Sequence, residues 1–328
     1  MSDDKQPLQA IRWDEDALLL LDQRALPMSS VWLRLGSWVE VAWAIRVMVV
    51  RGAPAIAIAG AYGLALAVQE GADRAVASAG LLAARPTAVN LRAVLERLAG
   101  LDDEALLTAA CAEHALDVAN NRALGQAGVA LLQDALASRK GVLTICNTGS
   151  LATGGHGTAL GMVRSALAAG VALHVFALET RPYLQGARLT AHECLEDGIP
   201  CTLITDGMAG ALLATGQIGA CVIGCDRVAQ NGDAANKIGS LGLAVLCRHY
   251  GVPFFVAMPT DTLDRDCADG DAIPIEERDG DEVRQVQGTP IAPAQVPVWN
   301  PAFDVTPAAL ITAWVTEQGV WRLPFPNG

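Results

Sequence analysis

The residues of this chain that can do chemistry stand at the ends of short apolar runs. Cys146-Asn-Thr-Gly-Ser-Leu-Ala-Thr-Gly-Gly-His-Gly-Thr starts where the run 142–146 ends. A glycine- and hydroxyl-rich segment between strand and helix offers backbone N–H groups to a phosphate or another oxyanion; the alternative is a tightly packed turn. The pattern is neither GxGxxG nor a Walker loop, so neither a dinucleotide nor ATP is implied. Cys146 alone reads as a small buried apolar residue or as a reactive thiol. Asp226 follows the run 220–224. Burial raises the pKa of such a carboxyl and a nearby cation lowers it, the combination that sets an acid–base group; the alternative is a strand-end Asp paired with Arg227. Asn236 and Lys237 read as the opening of the next helix, where amide, ammonium and free N–H groups converge on an anion.

Other polar clusters are weaker. Glu179, Arg181, Gln185 and Arg188 crowd together after the run 172–178, where they must pair with one another or meet a ligand. Arg51-Gly-Ala-Pro-Ala-Ile sets an arginine before a small-residue turn whose backbone can approach a ligand closely. Asp206, Asp233, His156 and His192 read as caps or structural hydrogen-bonders. Cys221 and Cys225 are spaced one residue wider than the commonest CxxC ligand pair and no second pair completes a site, so no metal is expected.

The elements that must position these groups follow from the runs at 142–146, 172–178, 201–205, 220–224 and 253–258, each separated by a helix-length segment. This rhythm predicts an α/β chain, with a C-terminal Rossmann-like parallel sheet and crossover helices in residues 129–328, and ligands beyond the carboxyl ends of its strands. Residues 1–128 are expected to form a smaller, mainly helical N-terminal domain. There Val39–Val50 and Asn90–Ala99 read as helices, the second capped by Asn90, and Trp32–Trp38 as a short strand or meander. Asp264–Gly288 breaks the rhythm, and Asp304-Val-Thr-Pro-Ala reads as the start of a last helix capped by Thr306 with Pro307 in its first turn.

Composition narrows the partners. The 328 residues carry 23 Lys and Arg against 35 Asp and Glu, a net charge of −12 that repels nucleic-acid backbones and anionic lipid. Any anionic ligand must be held by local cations. The mean hydropathy is +0.32, but the uncharged stretches Gly52–Gln69 and Gly207–Cys225 are too rich in Gly and Pro or polar residues for lipid-facing spans. The acidic opening MSDDKQPLQA lacks a signal-peptide pattern, and eight cysteines are too sparse for a disulfide framework. A soluble, cytoplasmic protein without membrane or nucleic-acid partners is expected.

Taken together, Arg51-Gly-Ala-Pro-Ala-Ile, Arg85-Pro-Thr-Ala-Val-Asn-Leu, Cys146-Asn-Thr-Gly, Glu179-Thr-Arg-Pro with Gln185-Gly-Ala-Arg-Leu-Thr, Gly224-Cys-Asp-Arg and Asn231-Gly-Asp-Ala-Ala-Asn-Lys-Ile-Gly resemble the methylthioribose-1-phosphate isomerases. The wider family also contains ribose-1,5-bisphosphate isomerases and regulatory subunits of the eukaryotic translation factor 2B exchange complex. The resemblance implies a catalytic pair at Cys146 and Asp226, substrate contacts at Arg51, Gly52, Ala53, Arg85, Gln185, Asn236 and Lys237, no cofactor and no metal, and a homodimer. It implies conversion of 5-methylthioribose 1-phosphate to 5-methylthioribulose 1-phosphate in methionine salvage. The alternatives are an isomerase of 5-deoxyribose 1-phosphate or ribose 1,5-bisphosphate, or a non-catalytic regulatory subunit. Two departures stand out: Cys225 where the family usually has Ala, and His156 where Tyr is common.

Overall fold

The computed structural model describes residues 8–86 and 88–326. Thr87 and most of the acidic N-terminal stretch, residues 1–7, lie outside the described residues. The chain opens with an antiparallel meander, Ile11–Asp14, Ala17–Leu21 and Trp32–Leu35. The middle strand departs from the mainly helical reading of residues 1–128. Its sequence ALLLL is buried on both faces and hydrogen-bonded on both edges, and a short run of leucines has no period to separate strand from buried helix.

Helices follow at Trp38–Arg46, Ala53–Gln69, Arg74–Ala84, Val89–Ala99 and Leu106–Ala127. The first is closed by a capping box of Ser37 and Glu40. The second is the buried axis of this half. Its small residues let neighbours approach closely: a Cβ on Gly60 would stand 2.2 Å from Leu91 Cδ1. Asn90 is not the cap of the fourth helix, which starts at Val89 after Ala88.

Beyond these helices lies a seven-stranded sheet in the order Gly319–Trp321, Ala313–Thr316, Phe254–Ala257, Ile218–Ile223, Gly141–Thr144, His174–Leu178, Cys201–Ile204. All pairs are parallel except the terminal hairpin. Alternation decides its two faces: Val142, Val175, Val222 and Phe255 pack on one side, and Leu143, Cys221, Ile223 and Val256 on the other. The helix Leu106–Ala127 packs on both Ala53–Gln69 and Ala159–Ala168, tying the helical half to the sheet. No helix among the described residues is long and apolar enough to cross a membrane.

A second sheet sits at the carboxyl ends of the first, in the order Leu263–Asp264, Arg227–Ala229, Ala234–Lys237, Phe303–Thr306. It overturns two expectations. Asn236 and Lys237 end a strand, and the following helix, Ser240–Tyr250, begins only after Gly239 at φ 105°. Asp304 starts no helix: its strand pairs with Ala234–Lys237, and only a single 3-10 turn, Ala308–Leu310, follows. The Asp304 carboxylate instead accepts N–H bonds from Gly239 at 2.7 Å and Leu241 at 3.1 Å. The cap of the helix Ser240–Tyr250 is thus supplied from far along the chain, where local spacing cannot reveal it.

Candidate functional site

In the seven-stranded sheet the chain runs outward from Gly141–Thr144 to His174–Leu178 and Cys201–Ile204, then returns to the other side of its starting strand with Ile218–Ile223. The order reverses between these two adjacent strands, paired Leu143 to Cys221. A crevice forms at such a reversal because the two connections leave in opposite directions. Cys146 emerges from one strand of the pair and Asp226 from the other. Both line one pocket with Arg51, Gly52, Ala53, Arg85, Gln185 and Lys237. Asn236 lines an adjoining cavity that shares Arg51, Gly52, Ala53, Cys146 and Asp226 with the first.

Each group is held by a specific device. The Asp226 N–H donates to Ala235 O at 2.9 Å, so the hairpin folds Asn236 and Lys237 back beside the acid. Burial raises the Asp226 pKa, opposed by the charges of Lys237, Arg51 and Arg85. Burial lowers that of Lys237, opposed by Cys146 and Asp226. The Lys237 ammonium donates to Ala302 O at 2.7 Å and lies 4.5 Å from the centre of the Phe303 ring. Arg85 pairs with Glu276 at 3.6 Å. Asn236 Nδ2 donates to Ser240 Oγ at 2.8 Å.

Cys146 sits at φ 70°, a left-handed conformation rare for a side-chain-bearing residue. Its N–H donates to Thr180 Oγ1 at 2.9 Å, its carbonyl accepts from Thr190 Oγ1 at 2.7 Å, and Gln185 Nε2 stands 3.4 Å from its sulfur. Met48, Thr180 and Leu184 share the positive φ, and such strained residues gather where the fold over-determines a binding or reactive site. Gln185 is 3% exposed, and its Oε1 has no hydrogen-bond partner. An acceptor buried without a partner calls for a ligand hydroxyl.

Gly52, at φ 97°, precedes the helix Ala53–Gln69, whose first amides have no intrahelical partners and whose dipole favours an anion. Next to it, Arg51 donates to Asn147 Oδ1 at 2.5 Å and Asn147 O at 2.9 Å. The arrangement brings cations, helix amides and an acid of raised pKa around one small cleft. That suits a phosphorylated, hydroxyl-bearing substrate undergoing proton transfer.

Several readings change in three dimensions. The N–H groups of Ser150 and Leu151 in the glycine-rich loop point to the buried carboxylate of Glu193, at 2.7 and 3.3 Å, so this part of the loop already has its anion. Arg227 pairs with Asp264 at 3.2 Å and leaves Asp226 to the pocket. Arg181 donates to the carbonyls of Pro182, Val283 and Gln285, while the N–H groups of Thr180 and Arg181 reach Asp206. Arg188 binds the carbonyls of Gln23, Arg24 and Leu26. Sequence reasoning missed Arg278, Tyr183, Met48 and the Ile273–Ile275 segment of the pocket wall. Arg278 carries no motif: it sits in the acidic stretch 264–288, where its N–H donates to Asn300 O at 2.9 Å and its guanidinium pairs with Glu282.

No group of three or more His, Cys, Asp or Glu among the described residues could hold a metal. The initiation factor 2 subunit family matches residues 49–323. A methylthioribose-1-phosphate isomerase of Anaeromyxobacter sp. (strain Fw109-5) is 53% identical, over 98% of this chain and 97% of that one. Among solved structures, the 5-methylthioribose 1-phosphate isomerase of Pyrococcus horikoshii OT3 is 38% identical with a TM-score of 0.89, covering 98% of this chain and 94% of that one. The translation initiation factor eIF-2B subunit delta from A. fulgidus is 41% identical with a TM-score of 0.83, covering 97% and 96%. The chain therefore belongs to the initiation factor 2 subunit family and, within it, to the methylthioribose-1-phosphate isomerases.

Proposed function

We propose that this protein is an aldose–ketose isomerase that converts 5-methylthioribose 1-phosphate to 5-methylthioribulose 1-phosphate. The observation that carries the reading is the convergence of Cys146 and Asp226 at the reversal of the sheet, in a pocket ringed by Arg51, Arg85 and Lys237. Relatives at about half identity over nearly the whole chain bear the name of that isomerase. Fold alone does not decide the matter, since one structural neighbour is named as a translation factor subunit.

A phosphate on the anomeric oxygen prevents the ring from opening as a free hemiacetal does, so cleavage of the ring C–O bond needs an acid. Asp226, with its raised pKa, protonates the ring oxygen. The hydrogen on C2 then reaches C1, which oxidises C2 and reduces C1 without an external oxidant. In a hydride route, Cys146 and the apolar wall of Met48, Ile56, Ile273 and Phe303 surround an electron-poor centre; in an enolate route, the Cys146 thiolate is the base. Arg51, Arg85, Lys237 and the helix start at Gly52–Ala53 hold the phosphate, Gln185 Oε1 accepts a sugar hydroxyl, and Asn236 contacts the substrate from the adjoining cavity.

The same reading carries a division of the chain at 128/129 into a helical domain and a catalytic Rossmann-like domain; one apolar core draws chiefly on residues 10–110 and also takes in Leu151 and Leu189, and another starts at Leu124. It also carries a cytoplasmic homodimer that binds no nucleic acid, in keeping with the net charge of −12. Ketose formation followed by NMR tests the activity, with methylthioribose 1-phosphate, 5-deoxyribose 1-phosphate and ribose 1,5-bisphosphate offered separately to metal-free protein. Preference for the thioether sugar is expected. Turnover of another sugar alone keeps the mechanism and changes the substrate, and no turnover at all returns the chain to the regulatory reading.

A further inference from the structure

Glu193 lies outside the pocket and is fully buried, at 0% exposure. Everything that touches its carboxylate donates: Asn147 Nδ2 at 2.8 Å, Ser150 N at 2.7 Å, Ser150 Oγ at 2.8 Å, Leu151 N at 3.3 Å and Arg164 at 2.8 Å. The fit is close, since a Cβ on Gly149 would stand 2.2 Å from Glu193 Oε2. Burial pushes the Glu193 pKa up, but Arg164 and the donors from Asn147 and Ser150 outweigh it and keep the group ionised. Arg164 is in turn held by Asp197.

An acceptor-only neighbour dictates which end of the Asn147 amide faces it. Nδ2 must point to Glu193, and a second contact agrees. Thr190 Oγ1 gives its proton to Cys146 O at 2.7 Å and so can only accept from Asn147 Nδ2, at 3.3 Å. Asn147 Oδ1 is then turned toward Arg51 NH1, 2.5 Å away. We propose that Glu193 is a positioning residue: by fixing the polarity of the Asn147 amide, it aims the Arg51 guanidinium at the phosphate of the substrate. This role rests on the isomerase reading given above.

Glu193→Gln keeps the shape and presents an NH2 group to a ring of donors. Asn147 must turn over or lose its bond, and Arg51 then meets an amide NH2 group. The expected result is a KM for methylthioribose 1-phosphate raised about tenfold to a hundredfold, as for loss of one hydrogen bond to a charged group, with kcat nearly unchanged. In the Arg51→Ala background, Glu193→Gln should add nothing further to KM. Additive effects in that cycle would show that Glu193 acts on KM independently of Arg51 and would overturn the relay. Should Glu193→Gln fail to fold, Asn147→Ala leaves Glu193 its other four donors and should give the same KM change and the same non-additivity; a normal KM would equally overturn the relay. A second readout needs no turnover. The guanidinium nitrogens of Arg51 in 15N NMR, restrained from rotating in the native protein, should average in Glu193→Gln, and unaltered signals would refute the proposal. If the native protein turns over no sugar phosphate while these signals respond, the isomerase reading fails and the relay stands.

Discussion

Replacing Gly52 by alanine tests how closely the Arg51–Pro54 turn must approach the glycine-rich loop. Two penalties can be separated. Gly52 has φ 97° and ψ 133°, a region closed to side-chain-bearing residues without strain of about 1–3 kcal/mol. In addition, its new Cβ would stand 2.5 Å from Ala152 O and 2.7 Å from Ala152 Cα and Cβ, where ordinary contact is at 3.4 Å or beyond. All three atoms belong to backbone or to a rigid methyl, so no flexible side chain can swing aside. The turn and the loop must part by nearly 1 Å, carrying Arg51 away from Asn147 and the first helix amides away from the pocket. A misplacement of ~1 Å at a positioning group lowers kcat/KM by about a hundredfold. Gly71 supplies the control: its φ is 70°, but nothing lies within 4 Å of where its Cβ would be. Chemical denaturation should show Gly71→Ala destabilised by about 1–3 kcal/mol and Gly52→Ala by more, because it adds the clash with Ala152, whereas ketose formation by NMR should fall only in Gly52→Ala. If Gly52→Ala kept kcat/KM within about threefold of native, the close approach would not be what sets the site.

The acid assignment predicts that Asp226→Asn abolishes turnover while calorimetry still detects substrate binding; near-normal turnover would refute it. Lys237→Ala should raise KM and, by removing the foremost charge that holds Asp226 down, shift the alkaline fall of the kcat/KM profile to higher pH. The direction follows because Asp226 must be protonated to act, so activity is lost as pH rises through its pKa. His156 has its pKa lowered from 6.5 to about 4, by burial foremost and then by the charges of Arg164 and Arg122. The unfolded chain therefore binds an extra proton between these values, so stability should fall from pH 6.5 to 4 by up to about 3 kcal/mol. That component should vanish in His156→Gln, read as the difference in denaturation midpoints at pH 7 and pH 5.

The sequence by itself determined the strand rhythm of the C-terminal half and the kinds of groups at its strand ends. Runs such as 172–178 and 253–258 are short, β-branched or aromatic, and bounded by turns, so their strands His174–Leu178 and Phe254–Ala257 are legible locally. The types of Cys146, Asp226, Arg51 and Lys237 announced acid, thiol and anion chemistry in the same way. Local patterns failed where a distant segment satisfied the backbone. Asn236 and Lys237 became strand because Phe303–Thr306 pairs with them, and the Ser240 helix starts where Asp304 caps it. The leucine run at 17–21 is a strand because both its edges found partners.

Only the tertiary structure decided which strand ends are neighbours. Nothing near Thr144 or Ile223 says that their strands lie side by side at the reversal of the sheet, yet that adjacency is what brings Cys146 to Asp226. The N–H of Arg278 in the wall bonds Asn300 O, and Glu193 took the Ser150 and Leu151 amides of a loop whose glycine content fitted either an anion or a packed turn. The physical reason is common to these cases. Side-chain type is written residue by residue, whereas buried donors and acceptors are matched across the whole fold, by whichever segment the packing brings within 3 Å.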